Sequence, residues 1–302
     1  MHLPPEVLGE LASKDITPTD DSAKYSPCST NAVVKAIWNG QQLVDTASEK
    51  DCVGIILDTT PFYSEAGGQV GDTGQLKHDD CQFDVEETYQ FGDYVLHVGN
   101  VASGSLRCSD HVSANIDETN RTEIQSNHSC THLLNHALRS VLGDEIQQRG
   151  SHVDDERFRF DFSHNQAMTN EEVETVEQLV NNAIQDNLLI DAEEVSLTKA
   201  KEIHGMRAVF GEQYPDPVRV VSIGATVKDL ISDPSNTKWH DCSVEFCGGT
   251  HVQRCGEAEH FVIVQEQALA SGIRRILALT GGDAQTACQN GKAIVQRIEA
   301  LK

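Results

Sequence analysis

The stretch Asn127–Gly143, NHSCTHLLNHALRSVLG, carries histidines at 128, 132 and 136. Side chains four apart on a helix lie one above the other, so His128 and His132 can face a single ion. Two imidazoles at that spacing make half of a zinc site. The segment SVEFCGGTHV at 243–252 offers the other half. Cys247 supplies a soft thiolate and His251 follows four residues later. Gly248 and Gly249 are expected to turn the backbone tightly, so that both donors face one point. One cysteine and three histidines form a donor set suited to tetrahedral Zn2+. A cysteine and a histidine spanning Gly-Gly-Thr are far more specific than a lone pair of histidines. Cys130, Cys242 and His136 stand nearby. Cys130 points off the histidine face, and His136, one turn further, reads as packing or as support behind the ligands. A zincin protease needs Glu directly after the first histidine as general base; here that residue is Ser129.

The elements that must position these residues are readable around them. Leu133, Leu134, Ala137, Leu138, Val141 and Leu142 give residues 127–142 an apolar helical face, and Gly143 is a stop. RFRFDF at 157–162 alternates as a strand, with Phe158, Phe160 and Phe162 on one side. Thr169-Asn170-Glu171-Glu172 is a capping box that opens a helix bearing Val173, Val176, Leu179, Val180, Ala183 and Ile184. A second helix, LTKAKEIH, precedes strands expected at 207–210, 218–223, 261–265 and 273–279. Residues 118–282 thus form one α+β unit. Residues 31–117 differ in texture: AVVKAIWNGQQLV turns at Asn39-Gly40 between two strand-like runs. CVGIILD, GQLKHD, CQFDVEETYQ and YVLHVGNV follow, and the unit reads as β-rich and barrel-like. Residues 1–30, with TPTDDS, read as a polar lead-in or linker. Residues 283–302 read as a polar C-terminal helix.

Composition sets outer bounds. A chain of 302 residues is long enough for about two domains. Its nine cysteines are odd in number and widely spaced, a pattern of reduced thiols in a cytoplasmic protein. No apolar run is long enough to span a bilayer, and the N-terminus lacks a signal pattern. The formal net charge is −24. This argues against a broad nucleic-acid surface, because phosphate neutralisation needs clustered Lys and Arg. Any RNA contact must be local. The loop FYSEAGGQVGDTG at 62–74 is glycine-rich, but no Lys-Ser or Lys-Thr follows, so it makes no nucleotide pocket.

The paired histidines, followed about 115 residues later by CGGTH, resemble the editing domain of alanyl-tRNA synthetase and the stand-alone editing proteins of that family. FYSEAGGQVGDTG, NHSCTHLLNHALRSVLG, RFRFDF, MRAVFGEQYPDPVRVVSIG at 206–224, SVEFCGGTHV and GIRRILALTGG at 272–282 stand in the family's order. The resemblance runs from about residue 16 to 300 and is closest in texture to the eukaryotic cytosolic synthetases. The threonyl-tRNA synthetase editing domain shares the two-part zinc pattern, but its cysteine motif lacks this Gly-Gly-Thr. A class II aminoacylation domain does not fit in this length. The chain is therefore expected to be either an excised fragment or a free-standing editing protein, and not to activate alanine.

The resemblance implies a barrel-like N-terminal unit followed by an α/β-sandwich editing domain with a zinc site. It implies hydrolysis of seryl- and glycyl-tRNA(Ala), with the charged acceptor end as partner. By position, His128, His132, Cys247 and His251 match zinc ligands, Gln69 matches a glutamine associated with editing, and Thr131 matches a threonine linked to substrate choice. Cys247 also counts among the catalytic candidates. The chemistry leaves alternatives open. Zinc can polarise the ester carbonyl, lower the pKa of a water, or only hold the fold. Gln69 can orient water or the ester through its amide, or serve turn chemistry. The Thr131 hydroxyl can read a seryl hydroxyl, or bond the preceding helical turn. Arg207, Arg274 and Arg275, with Lys199 and Lys201, are candidate phosphate contacts. The non-catalytic alternative is a zinc-stabilised tRNA-binding module.

Overall fold

Alternating burial in the first hundred residues closes a barrel. In the computed structural model, which describes residues 1–26, 29–208 and 213–301, two compact units form. The first comprises Met1–Ala66 and Val70–Arg121; the second comprises Gly67–Gln69 and Thr122–Lys302. In the first, α1 (Pro5–Ser13) precedes β1 (Ser29–Trp38), β2 (Leu43–Val44), β3 (Thr46–Ser48), β4 (Cys52–Leu57), β5 (Gly74–His78), β6 (Cys81–Phe91), β7 (Tyr94–Ser103), β8 (Ser105–Arg107) and β9 (His111–Ile116). Six antiparallel strands run β1-β4-β7-β6-β5-β9, and β9 pairs back onto β1. Closure joins the two outer strands of the six, and the short β2 extends the end of β1. The expected hairpin at Asn39-Gly40 joins β1 to β2, with Trp38 opposite Leu43. Ile37, Ile55, Leu57, Phe62, Leu76, Phe83 and Val85 fill one core.

The second core of this unit corrects the reading of residues 1–30 as a lead-in. Leu3, Val7 and Leu11, on and just before α1, pack with Ala36, Trp38, Ile56, Leu96 and Val98. These strand residues alternate with the inward set, so α1 covers an outer apolar face of the barrel. That double coverage is why β4 and the first half of β7 are buried at successive residues rather than at alternate ones. Cys28 lies outside the described residues.

The second unit takes α2 (Glu118–Leu142) from Thr122 onward. It continues through β10 (Gln148–Val153), β11 (Phe158–Ser163), α3 (Asn170–Gln185), β12 (Ile190–Val195), α4 (Leu197–Ala200), β13 (Val218–Ile223), α5 (Val227–Ser232), β14 (Ser243–Phe246), β15 (Phe261–Ala270), β16 (Ile273–Thr280) and α6 (Gly281–Glu299). One antiparallel sheet runs β10-β11-β16-β15 and another β12-β13-β14. Phe158, Phe160 and Phe162 are fully buried, as their alternation predicts. Thr169 and Glu172 cap α3 reciprocally. LTKAKEIH departs from its expected length, since only Leu197–Ala200 is α-helical. The strand expected at 207–210 falls partly outside the described residues; Arg207 makes an isolated parallel bridge with Glu245. The C-terminal helix expected over 283–302 is α6.

Candidate metal centre

Two elements of the second unit bring the donors together. His128 and His132 lie one turn apart on α2, with ring centroids 5.3 Å apart. β14 ends at Phe246 and delivers Cys247, and His251 follows in the loop. One ligand atom from each of the four residues lies within 4.8 Å of every other. The Cys247 Sγ is 3.5 Å from His128 Nε2 and 3.4 Å from His251 Nε2. The set could hold a metal ion.

The opposite ring nitrogens support that reading. His128 Nδ1 lies 2.7 Å from Gln69 Oε1, His132 Nδ1 lies 3.0 Å from Glu245 Oε2, and His251 Nδ1 lies 3.2 Å from Ser129 Oγ. His128 and His251 are hydrogen-bonded there, whereas His132 meets Glu245 as a close ion-pair contact without hydrogen-bond geometry. A neutral imidazole that donates there turns the lone pair of its Nε2 inward, as metal-ligating histidines require. Asn135 Nδ2 donates to the other oxygen of Glu245 at 2.8 Å, which fixes that carboxylate in turn. The thiol answers to the same charges. Burial alone would raise the Cys247 pKa, but His128, His132 and His251 pull it well below its ordinary value and favour the thiolate. Burial also opposes charge on His132, yet Glu245 and the Cys247 thiolate push its pKa up to about 10. His251 is pushed down to about 3 by burial and by His128.

The glycines act differently from the expectation. Neither Gly248 nor Gly249 takes a left-handed conformation. Gly249 is required for space: a Cβ there would stand 2.1 Å from His128 Cε1 and 2.7 Å from Gln69 Oε1. A Cβ on Gly248 would meet nothing. Arg219 fixes the loop by donating to the carbonyls of Cys247 and Gly249. The conformational freedom of glycine is used instead at Gly67 and Gly68, both at positive φ. They deliver Gln69 to the cluster, and Val153 N donates to Gly68 O at 2.7 Å.

Gln69 stands against His128, and Thr131 lies beside His132 along α2; both have their polar groups engaged. Gln69 Nε2 donates to Thr250 Oγ1 at 2.8 Å, while Oε1 accepts from the Thr250 backbone N–H at 2.9 Å and faces His128. Gln69 is therefore placed to position His128. Thr131 donates its proton to the Asn127 carbonyl at 2.8 Å, one turn back, leaving only lone pairs to offer. Cys130 is fully buried and its pKa is raised by burial; it lies outside the four-donor set. Burial, then the Arg139 charge, lowers the pKa of His136, and its Nδ1 has no partner among the described residues. The three arginines among the candidate phosphate contacts carry carboxylates already. Arg274 forms a bidentate pair with Glu266, Arg275 one with Asp161, and Arg207 reaches Asp144 at 3.1 Å. Sequence reasoning missed Glu245, Thr250 and the tethering role of Ser129. Only the position of Glu245, two residues before Cys247 on one strand face, could have signalled its part.

Comparison with known proteins places this geometry in a family. The model for class II (A) tRNA synthetases matches residues 7–120. The threonyl and alanyl tRNA synthetase second additional domain matches residues 218–276, which include Cys247 and His251. The cytoplasmic alanine–tRNA ligase of Dictyostelium discoideum is 48% identical over 97% of this chain and 32% of its own length. The alanine–tRNA ligase of Candida albicans is 51% identical over 92% of this chain and 29% of its own. The mitochondrial enzyme of Saccharomyces cerevisiae is 44% identical over 92% and 28%. The chain spans about a third of the length of these relatives. No helix among the described residues is long and apolar enough to cross a membrane. With both synthetase models matching it and such relatives covering nearly all of it, the chain belongs to the alanyl-tRNA synthetase family.

Proposed function

We propose that this chain is a zinc-dependent aminoacyl-tRNA deacylase that hydrolyses mischarged tRNA(Ala), chiefly seryl- and glycyl-tRNA(Ala), in the cytoplasm. The observation that carries the reading is the convergence of four donors in a family whose work is charging tRNA, with an oxygen behind the Nδ1 of each imidazole. His128, His132, Cys247 and His251 would hold the ion, which when bound can polarise an ester carbonyl or anchor the amino acid. The reaction adds water across the acyl–oxygen bond: the amino acid leaves as its carboxylate and the terminal ribose regains its hydroxyl. Gln69 acts by fixing the His128 ring. Thr131 Oγ1, its proton already donated to Asn127, can accept from a seryl hydroxyl. An alanyl methyl offers no such proton, so the correct ester gains nothing there.

One observation favours the second reading, a non-catalytic zinc-stabilised tRNA-binding module. Four protein ligands complete a tetrahedron, as structural sites do. Incubation of the purified chain with seryl-tRNA(Ala) and alanyl-tRNA(Ala), with and without chelator, separates the two. The deacylase clears the seryl ester, spares the alanyl ester and loses activity with chelator or with His132→Ala. Thr131→Val narrows the seryl-to-alanyl ratio. A zinc-loaded chain that leaves seryl-tRNA(Ala) at its spontaneous rate of decay is the binding module. Full metal content and activity in His132→Ala would overturn the ligand set.

A further inference from the structure

A second charged cluster lies further along α2. Arg139 Nη2 donates to Asp144 Oδ1 at 2.9 Å and Arg207 Nη2 to the same oxygen at 3.1 Å. His240 Nε2 lies 3.1 Å from both oxygens of that carboxylate. Two guanidiniums and an imidazole therefore share one acid. A further carboxylate, Glu245, faces His132 at 3.0 Å and accepts from Asn135. Nε of Arg139 and Nε of Arg207 are buried with no partner among the described residues. The Arg139 side chain is only 6% exposed, whereas that of Asp144 is 61% exposed. Asp144 sits just past the helix, after Gly143 at φ +113°. Such an arrangement is costly unless another anion uses it, because two arginines side by side repel. In a chain with 47 acidic and 23 basic residues, it is a local concentration of positive charge.

We propose that Arg139, Arg207 and His240 form a phosphate site for the backbone of the RNA substrate, which Asp144 occupies until RNA displaces it. The proposal rests on the reading of the metal centre as the site of an RNA ester. A phosphodiester presents two anionic oxygens, as the carboxylate does, on a group free to settle between both guanidiniums, and arginine forks match it. Asp144 is the movable member, since its side chain is largely in solvent on the loop that follows α2. Spacing supports the assignment. His132 and Arg139 are seven residues apart on α2, almost two turns, so they share a face about 10 Å apart along the axis. A stacked single strand advances about 3.4 Å per phosphate. With the terminal ester at the metal centre, a phosphate within the last three nucleotides reaches Arg139.

The test measures binding separately from hydrolysis. A single-stranded RNA ending in CCA, labelled at its 5′ end, is titrated with the zinc-loaded full chain by fluorescence anisotropy over a salt series. Asp144→Asn is expected to tighten binding about five- to tenfold, because the competing charge is removed. Arg207→Gln is expected to weaken it about tenfold and to reduce the salt slope by about one. His240→Gln, at an exposed position, weakens it less and serves if Arg207→Gln does not fold. Unchanged or weaker binding in folded Asp144→Asn, or an unchanged salt slope in the cation variants, overturns the proposal. Hydrolysis of seryl-tRNA(Ala) with no response in these variants defeats the phosphate site alone. The expected binding responses in a chain that hydrolyses nothing defeat the deacylase reading and leave the phosphate site standing.

Discussion

At the scale of single residues, the two glycines of the cysteine loop divide their labour. The missing side chain at Gly249 is filled by the His128 ring, which Gln69 holds in place. Gly249→Ala should therefore push the imidazole off the cluster. Zinc content by mass spectrometry is expected to fall from about one per chain toward zero, while Gly248→Ala keeps its metal. Retained zinc in both variants would mean that the His128 ring yields freely. The four donors were legible because their spacing is short within each half and their chemistry is scarce. Their supporting partners were not: Gln69 lies 59 residues from His128, and Ser129 lies 122 from His251. Nothing local marks such pairings, and a glutamine or serine has many uses. The glycines were read as turn formers because sequence shows that a side chain is missing, not what occupies its place.

At the scale of elements, α3 tests how much a terminus matters. Thr169 accepts from the Glu172 N–H, and Glu172 accepts from the Thr169 N–H. Thr169→Ala is expected to lower stability by about 1 kcal/mol, read as a lower urea midpoint with an unchanged slope. An unchanged midpoint would mean that tertiary bonds such as Asn181 to Phe261 hold α3 by themselves. This cap was legible because both partners lie within four residues. The start of α2 was not. Its first turns, ETNRTEIQS, look polar, yet Arg121 is buried against Asp72 and the helix begins where Asp117 caps it. A buried charge that brings its own partner erases the apolar period on which a sequence reading relies. In α4 the opposite occurs: LTKAKEIH carries helical spacing, but the chain leaves the helix after Ala200.

At the scale of the whole molecule, one buried imidazole of the barrel unit makes a defined contribution to the response to pH. His97 is fully buried in the barrel unit, edge-on to Phe62. Its Nδ1 lies 3.0 Å from the Ile55 carbonyl and its Nε2 lies 2.7 Å from Thr60 Oγ1. Nδ1–H therefore donates to the carbonyl while Nε2 accepts from the hydroxyl. Burial holds its pKa down to about 4, against the Ile55 carbonyl, which raises it. The unfolded chain takes up this proton from about pH 6.5 downward and the folded chain only near pH 4. Stability is thus present above pH 6.5 and is lost as pH falls between those values, by about 2 kcal/mol between pH 7.5 and 5. His97→Gln should show a shallower decline in urea midpoint over that range. Equal slopes would mean that the imidazole is protonated in the fold.

The metal centre also has a history along the chain. Cys247 meets His128 across 119 residues, and Gln69 meets Thr250 across 181. Closing a loop of that length costs about 4 kcal/mol of chain entropy before any contact offsets it. Such a knot of distant segments ties last, after the local helices and hairpins. On the proposed metal reading, capture of a cation would mark the moment at which the second unit has finished folding, and its early loss would leave three stretches of chain untied at once.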